Sequence, residues 1–272
     1  MTERSLRSLP APVITTKEHR RFVEFCEACR QYRYIGLCYG PPGVGKTVSA
    51  QAYARWEQIL ASQRRPPEEP LALDPAHCHT VLYTPPVVHT PQRLARDITE
   101  ACLLLDAVAQ TIRADEEDSV PLLRNPYVPQ YTELLIVDEA DRVKTVGLEQ
   151  LRELYDQFQI GVVLIGMPGL EKRLARYPQL YSRVGFVHAF RPLSAAEVRD
   201  WLHHPWTRFV LLAGKRVDDA AVAAIIRITG GNFRLLHRLL TQVVRLMEIN
   251  TLRRVTPHVV EAARESLVIG TV

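Results

Sequence analysis

The 272-residue sequence has no apolar run near the ~18 residues that a membrane helix requires, so no bilayer-spanning helix is expected. The opening Met1-Thr2-Glu3-Arg4-Ser5-Leu6-Arg7 has no apolar stretch behind its charges, which argues against a secretory signal and for a cytoplasmic protein. No internal repeat is visible, which excludes a solenoid. Lysine is scarce: 5 against 29 arginines. Arginine is the better fork for phosphates and carboxylates. The cysteines, Cys26, Cys29, Cys38, Cys78 and Cys102, are odd in number and read as reduced thiols. Cys26-Glu-Ala-Cys29 has a zinc-ligand spacing that Cys78-His79 could complete. The same residues, with Phe22 and Phe25, also mark the buried face of one helix.

What is present is ordinary for a folded protein: 47% hydrophobic and 24% charged residues, enough apolar side chains to bury a core. The net charge of +4 is unevenly spread. Residues 1–65 carry +6, residues 66–189 carry −7, and residues 190–272 carry +5. A basic start and end around an acidic middle suit a protein that meets an anion, and solvated surface charge accounts for them equally.

Along the chain, residues 1–14 read as an N-terminal arm. Thr15 or Thr16 can cap a helix through about Arg33. Short apolar runs at 34–39, 80–83, 134–137 and 161–166 read as four buried strands. Helices are expected at Lys46 to about Ser62, at Pro91 to about Thr111, and at about 147–158. The proline-rich stretch 63–79 and the acidic, proline-broken stretch 114–132 read as surface connections. Strands alternating with helices imply a parallel sheet with right-handed crossovers. After Pro192 the strands are expected to stop. Ser194–Ala213, Asp218–Ile228, Asn232–Glu248 and Thr256–Ser266 read as amphipathic helices, the first opened by the capping box Ser194-Ala-Ala-Glu197. The expected organisation is an arm (1–14), an α/β core (15–190) and a helical lid (191–272).

Gly40-Pro41-Pro42-Gly43-Val44-Gly45-Lys46-Thr47 matches GxxxxGK[ST] in full and lies between a strand and a helix. Its glycines let backbone N–H groups turn onto a phosphate, and the helix N-terminus running on through Val48 adds positive potential. Lys46 is expected to reach the β and γ phosphates of ATP, and Thr47 to ligate Mg²⁺. About ninety residues on, Leu134-Leu-Ile-Val137 delivers Asp138 and Glu139 at a strand's end. Asp138 is suited to hold the Mg²⁺ shell and Glu139 to polarise an attacking water. The pair points to hydrolysis rather than binding alone.

The P-loop, the string Asp138-Glu-Ala-Asp-Arg142, the later strand and the helical lid resemble the AAA+ ATPases. That resemblance implies an α/β P-loop parallel-sheet core with an all-α lid. It also implies an arginine that reaches a neighbouring subunit's nucleotide, matched here by Arg183 in Gln179-Leu-Tyr-Ser-Arg183-Val-Gly, with Arg176 as the fallback. An ordinary surface arginine would look the same. A second arginine, sensing the γ-phosphate from the lid, is matched by Arg234 in Gly230-Gly-Asn-Phe-Arg234. There is one departure. The fourth strand usually ends in a polar residue that touches the attacking water, whereas Ile165-Gly166-Met167-Pro168-Gly169 puts no such side chain there. Either the backbone or a nearby residue substitutes, or hydrolysis is slow.

Within that family, Asp138–Val143, Gly161–Gly166 with Leu170-Glu-Lys-Arg-Leu174, and Gly230-Gly-Asn-Phe-Arg234 are most similar to the transposition regulators TnsC, TniB and MuB. The short arm and compact lid are closest to TniB and to the TnsC of CRISPR-associated transposons. This implies a homo-oligomer, a ring or helical filament, on duplex DNA. It further implies a transposase and a target-selection protein as partners. The resemblance places the DNA contacts at Gln92, Arg93, Arg96, Gln110, Thr111 and Arg113. Polar and arginine contacts to phosphates give sequence-independent binding. No recognition helix or zinc finger is visible, and a solvated arginine face explains the same residues. An IstB- or DnaC-like helicase loader, or a secretion or signalling switch acting on a protein, is the alternative. A small-molecule kinase would have no use for Arg183 and Arg234.

Overall fold

The computed structural model describes residues 15–63, 73–114, 128–205, 207 and 211–267. The expected arm, most of the connections at 63–79 and 114–132, part of the helix expected at 194–213 and the chain's last five residues lie outside the described residues. The chain divides into two compact units. An α/β unit comprises His19–Gly40 and Lys46–Phe190. A helical unit comprises Arg191–Val272, the chain up to Glu18, and the five residues Pro41–Gly45.

The α/β unit is built on strands β1 (Ile35–Tyr39), β2 (Thr80–Tyr83), β3 (Leu134–Val137), β4 (Gly161–Gly166) and β5 (Val184–Ala189). All pair in parallel, in the order β2-β3-β4-β1-β5. Every residue of β3 and β4 is buried, as the continuous apolar runs require of strands covered on both faces. Helices α1 (Lys17–Tyr32), α2 (Lys46–Ala54), α3 (Trp56–Ser62), α4 (Pro91–Ala114), α5 (Thr145–Phe158), α6 (Leu170–Leu174) and α7 (Pro178–Tyr181) complete the unit. Helix α4 sends Leu94, Ile98, Cys102 and Leu105 into the core, a stripe at helical spacing. Helix α5 adds Leu148, Leu151, Leu154 and Phe158. The five cysteines are buried free thiols, and burial raises the Cys26, Cys29, Cys78 and Cys102 thiols above the ordinary range. No cluster of His, Cys, Asp or Glu fit to hold a metal exists among the described residues, so the zinc alternative for Cys26, Cys29, Cys78 and His79 finds no ligand set.

Four expectations need correction. The helix expected at 46–62 is two helices, because Arg55 adopts a left-handed backbone (φ 49°) that turns the chain. A fifth strand exists. It is an edge strand with alternating half-buried and exposed residues, so it shows no continuous apolar run. The helix expected from Ser194 ends at His203, because His204 precedes Pro205 and takes an extended ψ of 135°. Strands also continue beyond Pro192: Arg216–Val217 (β6) and Arg254–Val255 (β7) pair in parallel. Two residues are too few to show any periodicity.

In the helical unit, α8 (Ala195–His203), α9 (Asp219–Thr229), α10 (Phe233–Ile249) and α11 (Pro257–Glu265) enclose a core of their own. The capping box is formed: Ser194 Oγ accepts the Glu197 N–H while the Glu197 carboxylate accepts the Ser194 N–H. Helix α10 buries Leu236, Leu239, Leu240, Val243 and Met247. Leu193 N–H donates to Gly231 O, tying the start of the unit to the turn before α10.

Candidate functional site

Topology brings the motifs of the α/β unit to one edge of the sheet. Strand β4 lies between β3 and β1, with Tyr39 level with Gly166 and Val137 level with Leu164. The residues following β1 and β3 therefore emerge at the same edge, two strand spacings or ~10 Å apart. Ligands of open parallel sheets bind beyond these carboxyl ends. Gly40 N–H donates to Gly166 O, so the P-loop leaves the sheet against the end of β4. Lys46 is buried, and its ammonium donates to Gly40 O at 2.6 Å, folding back over the loop entry. Thr47 and Val48 are exposed at the start of α2.

Asp138 is 3% exposed and accepts the Glu139 N–H at 2.9 Å. Glu139 has a left-handed backbone (φ 51°) and opens a single 3₁₀ turn, Ala140–Arg142. Its carboxylate is exposed and ion-paired with Arg142, which also donates to Pro85 O. The buried Asp138 carboxylate and the Thr47 hydroxyl are hard oxygen donors of the type Mg²⁺ prefers. The motif's residues thus fit a magnesium-bound nucleotide.

The end of β4 is not bare. The Asp141 carboxylate lies over Gly166 and accepts the Met167 N–H at 2.7 Å. A side chain at position 166 would begin 2.5 Å from Asp141 Oδ2, which explains the glycine. The polar group that β4 lacks comes from the turn after β3. That turn is itself gripped by Arg173 of α6, whose guanidinium donates to the carbonyls of Ala140, Asp141 and Val143 at 2.9, 2.9 and 3.0 Å. These partners are 30 to 33 residues from Arg173, a separation with no pattern to announce it.

The tip of the P-loop belongs to the helical unit. Asn232 caps α10 with its side-chain oxygen, which accepts from the N–H of Arg234 and Leu235. Its Nδ2 donates to Pro42 O at 2.7 Å, and Arg234 N–H also reaches Gly43 O at 3.2 Å. The Arg234 side chain is exposed.

The remaining sequence-derived candidates have partners that their motifs do not reveal. Arg183 forms a bidentate pair with Asp156 at 2.9 and 3.0 Å and donates to Gln179 O at 2.5 Å. Arg176 is exposed and makes no ion pair among the described residues. Gln92, Arg93 and Arg96 sit on the exposed first turns of α4, where Arg93 pairs with Asp97 and Arg96 with Asp97 and Glu100. Gln110 and Thr111 are exposed near the other end of α4, ~27 Å away at the helical rise, and Arg113 lies 4.5 Å over the Tyr131 ring. The six residues form two groups rather than one patch.

A family model described as an AAA domain matches residues 29–174, from the last turn of α1 to the end of α6. The chain belongs to the AAA domain family. A Staphylococcus aureus protein described as a potential ATP-binding protein is 43% identical over 263 residues, covering 94% of this chain and 97% of that protein. In structure, this AAA domain is similar to Thermotoga maritima RuvB, a Holliday junction branch migration motor. The TM-score is 0.58 at 20% identity, over 97% of this chain and 74% of RuvB. It is also similar to the Aeropyrum pernix ORC1 protein in complex with DNA. There the TM-score is 0.58 at 21% identity, over 97% of this chain and 68% of that one. At such identity these two similarities establish the P-loop AAA+ fold. No helix among the described residues is long and apolar enough to cross a membrane.

Proposed function

We propose that the protein is an AAA+ ATPase that assembles on duplex DNA in the ATP state, marks a target site for a transposase, and disassembles on hydrolysis. The observation that carries the ATPase reading is the edge where a P-loop and an Asp138-Glu139 pair flank β4. The DNA and transposition reading is supported by the motif resemblance to TnsC, TniB and MuB. RuvB and DNA-bound ORC1, which share the fold, are consistent with it.

In this reading the P-loop amides and Lys46 bind the phosphates, and Thr47 and Asp138 hold Mg²⁺, which neutralises charge on the phosphates when bound. Glu139 orients and deprotonates the attacking water. To do so it must leave Arg142, a half-buried partner; the Glu139 carboxylate itself is exposed, and an ion pair open to water on one side is weak enough to break. Asp141 supplies the second polar contact from over Gly166. Arg234 senses the γ-phosphate, and Arg183 serves a neighbouring subunit once released from Asp156. A trans arginine of this kind is worth roughly 10³–10⁵ in rate.

A second reading, a switch acting on a protein partner, is favoured by one observation. The arginines of the first α4 turns are already ion-paired, while Val87 and Val88 in the preceding loop are 77% and 84% exposed. Electron microscopy with duplex DNA separates the two. Filaments or rings on DNA with ATP but not ADP support the first reading. No DNA association at low salt in either state rejects it. In the same assay Lys46→Ala is expected to abolish nucleotide binding and assembly. Glu139→Gln is expected to assemble but lose at least 100-fold in turnover, as loss of a general base does. Wild-type turnover in Glu139→Gln would remove the base assignment.

A further inference from the structure

We infer that Asn232 is the residue that shapes the phosphate-binding loop. It is a positioning residue that holds the loop's tip by its carbonyls so that the amides face the ligand. This rests on the ATP-binding reading above.

The argument begins with the peptide plane. No cis peptide occurs among the described residues, and in a trans unit the N–H points opposite to the C=O. The carbonyl of Pro42 shares a plane with the Gly43 N–H, and that of Gly43 with the Val44 N–H. Asn232 Nδ2 holds the Pro42 carbonyl, and the Arg234 N–H holds the Gly43 carbonyl. Both carbonyls therefore face the start of α10, and both N–H groups are turned away from it. A phosphate-binding loop needs its amides free and convergent, and here two planes are set by donors from the protein itself.

The fit between loop and cap is close. At Gly43, with φ +80°, a side chain would begin 2.7 Å from the Asn232 Oδ1 atom and from the Arg234 Cβ atom. Only a glycine allows both the left-handed backbone and that approach.

The identity of residue 232 follows from its two tasks. Ser, Thr and Asp cap helices about as well as Asn. Of these only Asn carries a separate acceptor and N–H donor on one planar group. Its oxygen is committed to the α10 amides and its nitrogen to Pro42. Asp at this position would keep the cap and set a carboxylate against the Pro42 carbonyl. Ser would keep the cap and withdraw the second donor.

This separates helix capping from loop shaping. The full-length Asn232→Asp and Asn232→Ser proteins are compared with wild type in two measurements. One is thermal unfolding without nucleotide. The other is titration with a fluorescent ATP analogue and its ADP counterpart, at a temperature where all three proteins are folded. Unfolding midpoints within ~2 °C of wild type are expected, because the cap persists. Dissociation constants for both nucleotides are expected to rise about tenfold, the scale of one lost hydrogen bond plus a displaced amide. Wild-type affinity in either folded variant overturns the inference, as does an affinity loss that vanishes once the variant is fully folded. Failure of the wild-type protein to bind ATP or ADP would instead overturn the ATP reading. That outcome is seen without any variant.

Discussion

Two turns bear the sequence motifs, and both are held by donors on their carbonyl groups, yet the donors differ. The tip of the P-loop is held by a neutral side-chain amide and a backbone N–H, from Asn232 and Arg234. The turn after β3 is held by the guanidinium of Arg173. The difference follows the charge each turn bears. Residues 138–141 place three carboxylates within four positions, so a cation behind their backbone offsets mutual repulsion. The tip bears no charge of its own, and a neutral donor suffices to set its planes. Each turn also contains a constrained backbone, a glycine at φ +80° in one and Glu139 at φ 51° in the other.

Replacing the cation strikes this contrast hardest. Arg173→Ala leaves three carbonyls without their donor. At about 2 kcal/mol for charge-assisted bonds in a partly buried setting, the unfolding midpoint is expected to fall by ~5 °C. In the ATPase reading, turnover should fall further than nucleotide affinity, because the P-loop tip is held elsewhere. Arg173→Gln keeps a neutral donor and is expected to recover only a minor part. Full recovery in calorimetry and turnover assays would show that charge behind the acidic turn is immaterial.

Asp141→Asn is a finer probe. The amide oxygen still accepts the Met167 N–H, so the midpoint should stay close to wild type, while in the ATPase reading the loss of charge is expected to lower kcat with ATP affinity retained. Unchanged kcat would leave Asp141 a purely structural partner of β4.

The smallest expected effect concerns acid stability. Burial raises the Glu27 carboxyl, but hydrogen bonds from Tyr53 and Arg30 outweigh it, and the net shift is downward. A carboxyl depressed in the folded state stabilises above its unfolded value of ~4.3, and loses that contribution as pH falls through the folded value. Urea midpoints for wild type and Glu27→Gln should therefore differ most near pH 7 and converge in acid, once the pH has fallen below the depressed folded-state value. A gap that persists in acid would mean that Glu27 acts through packing.

The features legible in the sequence share a physical cause. Strands β1–β4 are buried on both faces and so announce themselves as apolar runs. The P-loop and Asp138-Glu139 are local strings, read directly from their spacing. Strand β5 escaped because an edge strand half exposed to water alternates through Gly185 and His188. The break at Arg55 escaped because a left-handed residue is usually glycine or asparagine. Asp141 was visible only as part of a string, because its partner Gly166 lies across the sheet. Asn232 was legible only as the start of a helix, and its bond to Pro42 joins residues 190 positions apart.

The grouping of Pro41–Gly45 with the helical unit bears on how the protein can be divided. The boundary after Phe190 looks like a natural place to cut, since a compact α/β unit ends there. A chain shortened to residues 15–190 would retain the whole phosphate-loop motif yet lose Asn232 and Arg234, which set the planes of its tip. Such a fragment would carry the motif as spelling without its shape. The five residues Pro41–Gly45 thus make the phosphate-loop motif one that a cut after Phe190 cannot leave intact.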